Sequence, residues 1–128
     1  MAQLLQLNTF TSEKGSLTVF EKILPGNVKR LFYIYGVKDQ KRGGHRHKIA
    51  WNALTCVAGN CKVYLHDGEE EQVFHLDSPD KCLVIEPNDW HQMYDFSENA
   101  VLLALSNEFY DKDDFVFEKY ENLEFAFA

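Results

Sequence analysis

The sequence predicts an all-β fold, a two-sheet sandwich or closed jelly-roll barrel. Three observations predict it. At least eight short runs rich in β-branched and aromatic residues recur along 128 residues. Turn-forming residues punctuate the gaps between them. No repeat, low-complexity tract or linker rich in Gly, Pro or Ser interrupts the series, so residues 1–128 form one domain.

The expected strands are residues 17–20, 30–35, 49–57, 61–66, 71–76, 82–86, 91–94 and 101–105. Residues 17–20 (Leu-Thr-Val-Phe) end at the turn Pro25-Gly26-Asn27, after which Arg30 to Tyr35 alternates large side chains. Gly43-Gly44 breaks the chain before 49–57, and Gly59-Asn60 separates that run from 61–66. The segment Val63-Tyr64-Leu65-His66 passes through Asp67-Gly68 into Gln72-Val73-Phe74-His75-Leu76, a hairpin signal that leaves His66 and His75 facing solvent. Ser78-Pro79-Asp80 precedes 82–86, and Pro87-Asn88-Asp89 precedes 91–94. Eight strands at this spacing suit a sandwich or barrel. The acidic, aromatic tail 110–120 fits either a helical turn or an edge strand. Trp51 and Trp90 read as core or rim packing.

Composition excludes several functions. The formal net charge is −7, which opposes broad nucleic-acid or anionic-membrane binding. A few local cations still suffice for a diphosphate. No segment has the roughly 20 consecutive apolar residues of a membrane-spanning helix, and the N-terminal residues lack the pattern of a secretory signal. Cys56, Cys61 and Cys82 sit in apolar runs without CxxC spacing, which suits buried free thiols in a reducing, cytoplasmic compartment.

The most informative stretch is Arg42-Gly43-Gly44-His45-Arg46-His47. Residues two apart on a strand share a face, so His45 and His47 project together while Arg46 points away. Adjacent imidazoles suppress each other's protonation and keep a neutral base available near pH 7. The same pair suits a divalent metal, and the plainest alternative is two surface histidines. Four residues separate His47 from Asn52, and six separate Asn52 from Gly59. That frame resembles the first motif of the cupins, with Asn in place of the ligating Glu. Pro87-Asn88-Asp89-Trp90-His91 resembles the second motif without its central Gly. An amide is a poorer metal ligand than a carboxylate, so the pattern points to a cupin-type jelly-roll barrel with metal binding weakened or lost.

Arg30 to Tyr35, Arg42 to Lys48, Pro87 to Ser97 and Leu105 to Asp111 together resemble the dTDP-4-oxo-6-deoxyhexose 3,4-ketoisomerases, WxcM-like members of the cupin superfamily. The resemblance runs from about Leu7 to Tyr120. It departs from the usual pattern at Arg46, at Gly26 after Pro25, and at Ser12-Glu13-Lys14-Gly15, where Lys14 replaces an Arg. It implies an isomerase of surface-glycan biosynthesis that takes a dTDP-linked 4-oxo-6-deoxyhexose to the 3-oxo sugar. It also implies a homodimer with exchanged N-terminal strands and places the base on the HxH pair.

Moving a carbonyl from C4 to C3 needs a base at C3 and an acid at C4, with no cofactor and no required metal. Histidine suits both steps. His45 and His47 are the expected proton shuttle. His91 is the expected partner in binding or C4 protonation, or else a structural hydrogen bonder. As a donor separate from the pair it could set which face of C4 is protonated, and within the family a His at this point resembles the members that give the galacto product. Tyr35 is a candidate hydrogen-bond donor to the sugar oxygen, and Tyr33 shares its face; both also fit as core aromatics. Arg42, beside two glycines that let the backbone approach a ligand, is a candidate diphosphate clamp or a solvated side chain. Arg30 with Lys29 could serve likewise or lie on the surface, and Lys14 could orient the sugar. Two other readings stand beside the isomerase. One is a metal-dependent cupin enzyme using His45, His47 and His91, and the other is a non-catalytic sugar-nucleotide-binding cupin.

Overall fold

The computed structural model describes residues 2–120. Met1 and residues 121–128 of the expected single domain lie outside the described residues. The strands are β1 (Gln3–Gln6), β2 (Asn8–Ser12), β3 (Gly15–Val19), β4 (Arg30–Tyr35), β5 (Arg42–His47) and β6 (Asn52–Ala58). They continue with β7 (Cys61–His66), β8 (Glu71–Leu76), β9 (Lys81–Ile85), β10 (Trp90–Tyr94), β11 (Val101–Ser106) and β12 (Phe115–Val116). A 3-10 turn, Lys112–Asp114, precedes β12. The tail therefore holds both a helical turn and an edge strand.

Two five-stranded antiparallel sheets, ordered β1-β9-β6-β11-β4 and β12-β5-β10-β7-β8, make a jelly-roll sandwich rather than one closed ladder. Strand alternation sends one side-chain row of each sheet inward. Leu54, Cys56, Leu83, Ile85, Leu102 and Ala104 meet Cys61, Val63, Leu65, Leu76 and Met93 in a common buried core. Truncating one of the fully buried leucines there, such as Leu65 or Leu102, costs about 2–5 kcal/mol by the usual cavity argument. The three cysteines are buried and unpaired, as expected.

Most expected strands appear within a residue or two of their predicted ends. The run 49–57 starts three residues late, at Asn52. The backbone N–H groups of Ile49 and Ala50 are held by the Asp114 carboxylate instead of a ladder partner. The β7–β8 hairpin forms with His66 opposite Glu71. Asp67 Oδ1 closes its turn by accepting from the N–H groups of Glu69 and Glu70. His75 is exposed, but His66 is not: it is buried, and its Nδ1 accepts from the Gly68 N–H. The hairpin turn folds back over it, and Tyr120 covers the ring at 5.4 Å. Trp90 is buried, and Trp51 packs on the smaller apolar cluster.

Among the described residues β2 and β3 pair only with each other, making a hairpin outside both large sheets. Most of the expected strand 17–20 lies in β3 of this ribbon. Phe10 and Leu17 oppose each other across it, and both are mostly exposed.

Candidate active site

A cavity of about 190 Å³ opens between the sheets. Arg30, Phe32 and Ile34 of β4 and Asn52 and Leu54 of β6 form one wall. Arg42, Gly43, His45 and His47 of β5 and His91 and Met93 of β10 form the other. Tyr110 and Phe115 cover the mouth. A second cavity, about 400 Å³, shares Arg42, Gly43, His45, Tyr110 and Phe115 with the first and adds Lys41, Lys112 and Phe117.

Strand parity puts His45 and His47 side by side, their ring centroids 4.9 Å apart and nearly perpendicular. Arg46 points the other way, donates to Asn88 Oδ1 at 2.6 Å and lies over the Tyr120 ring. Opposite β5, β10 brings His91 into register with His45. The register then shifts so that Gln92 faces Gly43, and Gly44 has no opposite residue. This bulge re-aims Arg42, which by strict alternation would point outward with Arg46, toward the cavity. Gly43 and Gly44 both have φ of +82°. A Cβ on Gly43 would stand 3.1 Å from Met93 Sδ and 3.2 Å from the His91 carbonyl oxygen. The glycines thus serve the close approach of β5 to β10, and Gly43 also lines both cavities.

The three imidazoles are held mainly neutral. Burial pushes His45 down to about 4, helped by the neighbouring His47 and opposed by a hydrogen bond to the Gly43 backbone. Burial pushes His91 down to about 3, with His45 adding to the effect. Burial also lowers His47, but its hydrogen bond and charge interaction with Asp114 oppose the shift. His91 Nδ1 lies 3.0 Å from the Asp89 carbonyl oxygen, and His47 Nδ1 lies 2.9 Å from Asp114 Oδ2. Both partners only accept, so both Nδ1 atoms carry the proton and both Nε2 atoms are bare. Phe115 meets the pair at steep angles, its ring centroid 4.6 Å from that of His45 and 4.5 Å from that of His47. The ligating nitrogens of His45, His47 and His91 lie within 4.8 Å of one another, close enough to share a divalent ion. In the motif's carboxylate position stands Asn52, buried on the facing wall.

The structure brings together His45, His47, His91, Arg42 and Arg30. Arg30 is half-buried with its guanidinium 4.4 Å from the Phe32 ring centroid and 5.2 Å from that of Tyr110. It is no free surface cation. Tyr33 and Tyr35 do not join this group. They stack on each other on the outer face of β4, because Phe32 and Ile34 hold the inner face. With Lys38, Gln40 and Arg42 they line a separate surface groove. The expected hydrogen bond from Tyr35 to a sugar in this cavity is therefore corrected for the single chain. Lys14 sits in the turn of the β2–β3 hairpin, apart from the cavity lining. His91 is corrected in a different way: it stands on the same wall as the HxH pair, not across from it.

Sequence reasoning missed Asp114, Phe115 and Tyr110. All come from the tail, and no local pattern sets Asp114 apart from Asp111 or Asp113.

The chain matches the FdtA family, described as WxcM-like, C-terminal, over residues 1–126. A TDP-4-oxo-6-deoxy-alpha-D-glucose-3,4-oxoisomerase of Aneurinibacillus thermoaerophilus is 39% identical over 112 residues, covering 85% of this chain and 80% of the relative. The structure of QdtA, a sugar 3,4-ketoisomerase from Thermoanaerobacterium thermosaccharolyticum in complex with TDP, superposes with a TM-score of 0.87. It is 37% identical, covering 91% of this chain and 88% of its own. A histidine-to-asparagine mutant of the same enzyme, in complex with TDP-4-keto-6-deoxyglucose, gives a TM-score of 0.86 at 35% identity, with 97% and 89% coverage.

Proposed function

Because the chain belongs to the FdtA, WxcM-like family, we propose that it is a sugar-nucleotide 3,4-ketoisomerase converting dTDP-4-oxo-6-deoxyglucose to a dTDP-3-oxo-6-deoxyhexose. The observation that carries this reading is one cavity wall bearing three imidazoles held neutral, two with a bare Nε2 fixed by hydrogen bonding. The C4 ketone acidifies the C3 proton. A neutral imidazole removes it, an enediolate forms, and an imidazolium returns a proton to C4. Electrons are redistributed within the sugar, so no redox cofactor enters the balance.

His47 suits the first step, since Asp114 stands ready to stabilise its charged form. His45 and His91, one ring away at 4.9 and 6.1 Å, can pass or receive the proton. Stereochemistry follows from the single wall. In the gluco-configured substrate the C3 hydrogen lies on one ring face. Protonating C4 from that same face makes the new 4-hydroxyl axial, which is the galacto configuration.

Lys41, Arg42 and Lys112 gather three cations at the outer cavity of an acidic chain, chemistry suited to a diphosphate. Arg30, braced by aromatic rings at the inner cavity, is suited to the sugar or its nearer phosphate. Solvent deuterium is the test. Incubated with dTDP-4-oxo-6-deoxyglucose in deuterated water, the protein should move the carbonyl to C3 and place deuterium at C4. Unlabelled, unchanged sugar sinks the reading.

We also propose a cytoplasmic homodimer. The exposed Phe10–Leu17 pair on the β2–β3 hairpin needs cover, because a two-stranded ribbon is marginal alone. Exposed Leu31, Tyr33 and Tyr35 on the outer face of edge strand β4 offer an apolar counterpart in a second copy. Lys14, at the hairpin turn, then travels with the exchanged strands to the neighbouring copy. A monomer by light scattering counts against this. Buried free thiols support a reducing compartment, and no helix among the described residues is long and apolar enough to cross a membrane.

One observation favours a second reading. The three clustered imidazole nitrogens could hold a divalent ion that polarises the substrate carbonyl as a Lewis acid. Asn52 leaves that donor set without a carboxylate. Activity lost to prolonged chelation and restored by added metal would select this reading; full activity after chelation rejects it.

A further inference from the structure

We infer that Asp114 is a positioning residue for the proton-transfer step, its carboxylate fixing His47 with Nδ1 protonated and Nε2 bare toward the cavity. The step it serves rests on the ketoisomerase reading above; the geometry does not.

The argument begins with the bond itself. His47 Nδ1 and Asp114 Oδ2 are 2.9 Å apart, and both residues are buried. A carboxylate has no proton to give, so the ring nitrogen is the donor and the tautomer is set. Sixty-seven residues separate the two positions in the chain, so the contact exists only because the tail returns to β5.

The carboxylate is itself immobilised. Ile49 N–H donates to Oδ1 at 2.7 Å, and Ala50 N–H donates to Oδ2 at 3.3 Å. The Lys48 N–H donates to the Asp114 backbone carbonyl at 2.9 Å. Phe115 and Val116 then pair with His47 and Arg46 as β12. Turning the Asp114 carboxylate away from the imidazole would also break its bonds to the Ile49 and Ala50 N–H groups. An orienting group fixed in this way keeps the base aimed without reorganisation during reaction.

Asp114 also discriminates among the three histidines. Among the described residues, His91 is oriented by a neutral carbonyl, and neither His45 nor His91 shows a carboxylate partner. As His47 takes the C3 proton, the attraction to Asp114 grows from a neutral hydrogen bond to a charge-assisted one. Interactions that strengthen toward the transition state raise turnover rather than substrate affinity.

The test combines imidazole nitrogen NMR with kinetics. In wild-type protein without substrate, His47 should show a protonated Nδ1 and a bare Nε2. In Asp114→Asn that single tautomer should be lost, and kcat should fall at least about 30-fold while KM changes less than about threefold; the analogous buried Asp→Asn change in a serine protease triad costs ~10⁴. A wild-type His47 carrying its proton on Nε2 overturns the inference. So does a folded Asp114→Asn protein with kcat within about threefold of wild type. If the variant fails to fold, the wild-type tautomer decides alone. Should wild-type protein place no deuterium on the sugar, the ketoisomerase reading fails while the tautomer measurement still stands.

Discussion

His45 on β5 and His91 on β10 are a cross-strand pair, directly opposite each other just before the register shifts, with ring centroids 4.9 Å apart. That pairing joins two sequence motifs more than forty residues apart on one sheet face. It makes the histidines a single-walled cluster, and it depends on Gly43 and Gly44 letting the two strands close up. In the proposed reaction, a sugar ring seated against this wall meets all three imidazoles on one side.

His45→Asn and His47→Asn should each fold and each lose at least about 10²-fold in turnover, the low end of a general acid–base contribution. Asparagine at 47 can still meet Asp114 through its amide, so the expected loss reflects the missing base and not a collapsed site. Near-wild-type turnover in both variants sinks the acid–base assignment.

Stability should fall in mild acid. His45 at about 4 and His91 at about 3 lie below the ordinary value of about 6.5 that each regains on unfolding. Below about pH 6.5 the unfolded chain therefore binds more protons than the folded one. The contribution of these neutral, buried rings is fully present above that pH. It is lost progressively as pH falls through 4 toward 3. Thermal melting of wild type should drop steeply from pH 6.5 to pH 4, and a double His45→Asn, His91→Asn variant should show a shallower slope. Parallel slopes would place the acid sensitivity elsewhere.

Much of the fold was legible because β-strand alternation and turn chemistry are local. The HxH pair could be read from period two alone, and His91 from its position after the Pro87 turn. Strand β4 shows the limit of that reasoning. Leu31, Tyr33 and Tyr35 alternate with Arg30, Phe32 and Ile34, so both faces are apolar or aromatic and parity cannot say which is inside. The structure chose Phe32 and Ile34, and the tyrosines went outward. Arg42 was reachable by residue type, but its aim comes from a bulge that only the pairing with β10 reveals. Asp114 was beyond reach because its partner is defined by a tertiary return of the tail. His66 was misplaced because a turn residue was assumed to be wet, whereas its Nδ1 anchors the turn.

Gly59→Ala should destabilise the protein by about 2–5 kcal/mol, summing the strain of a left-handed alanine with that of overpacking. Gly59 has φ of +66°, and a Cβ there would overlap Ser97 Oγ and stand 2.8 Å from the Ala100 Cα. The loops meet because Asn60 N–H donates to Ser97 Oγ and Ser97 N–H to the Asn60 carbonyl, both at 2.9 Å. The glycine that completes the first sequence motif is thus demanded by loop packing far from the chemistry. Denaturant melts check it, and a change under about 0.5 kcal/mol would show that the 97–100 loop can yield.

His91→Arg tests whether C4 is protonated from the histidine wall. The enediolate is planar at C4, so the face that receives the proton decides between gluco and galacto products. With His45, His47 and His91 on one wall, the proposed mechanism has removal at C3 and delivery at C4 occur from the same side, which predicts the galacto product. His91 has its Nδ1–H committed to the Asp89 carbonyl and its Nε2 free, so it can carry a proton to the sugar on that side. An arginine remains protonated near neutrality and makes a poor acid there. If His91 is the donor, turnover falls and gluco-configured product appears as solvent protonates the open face. Product configuration is scored after trapping the 3-oxo sugar. Slower turnover with only galacto product would assign delivery to His45 or His47. Unchanged rate and configuration would make His91 structural, with the face chosen by how the ring sits against Arg30 and Phe32.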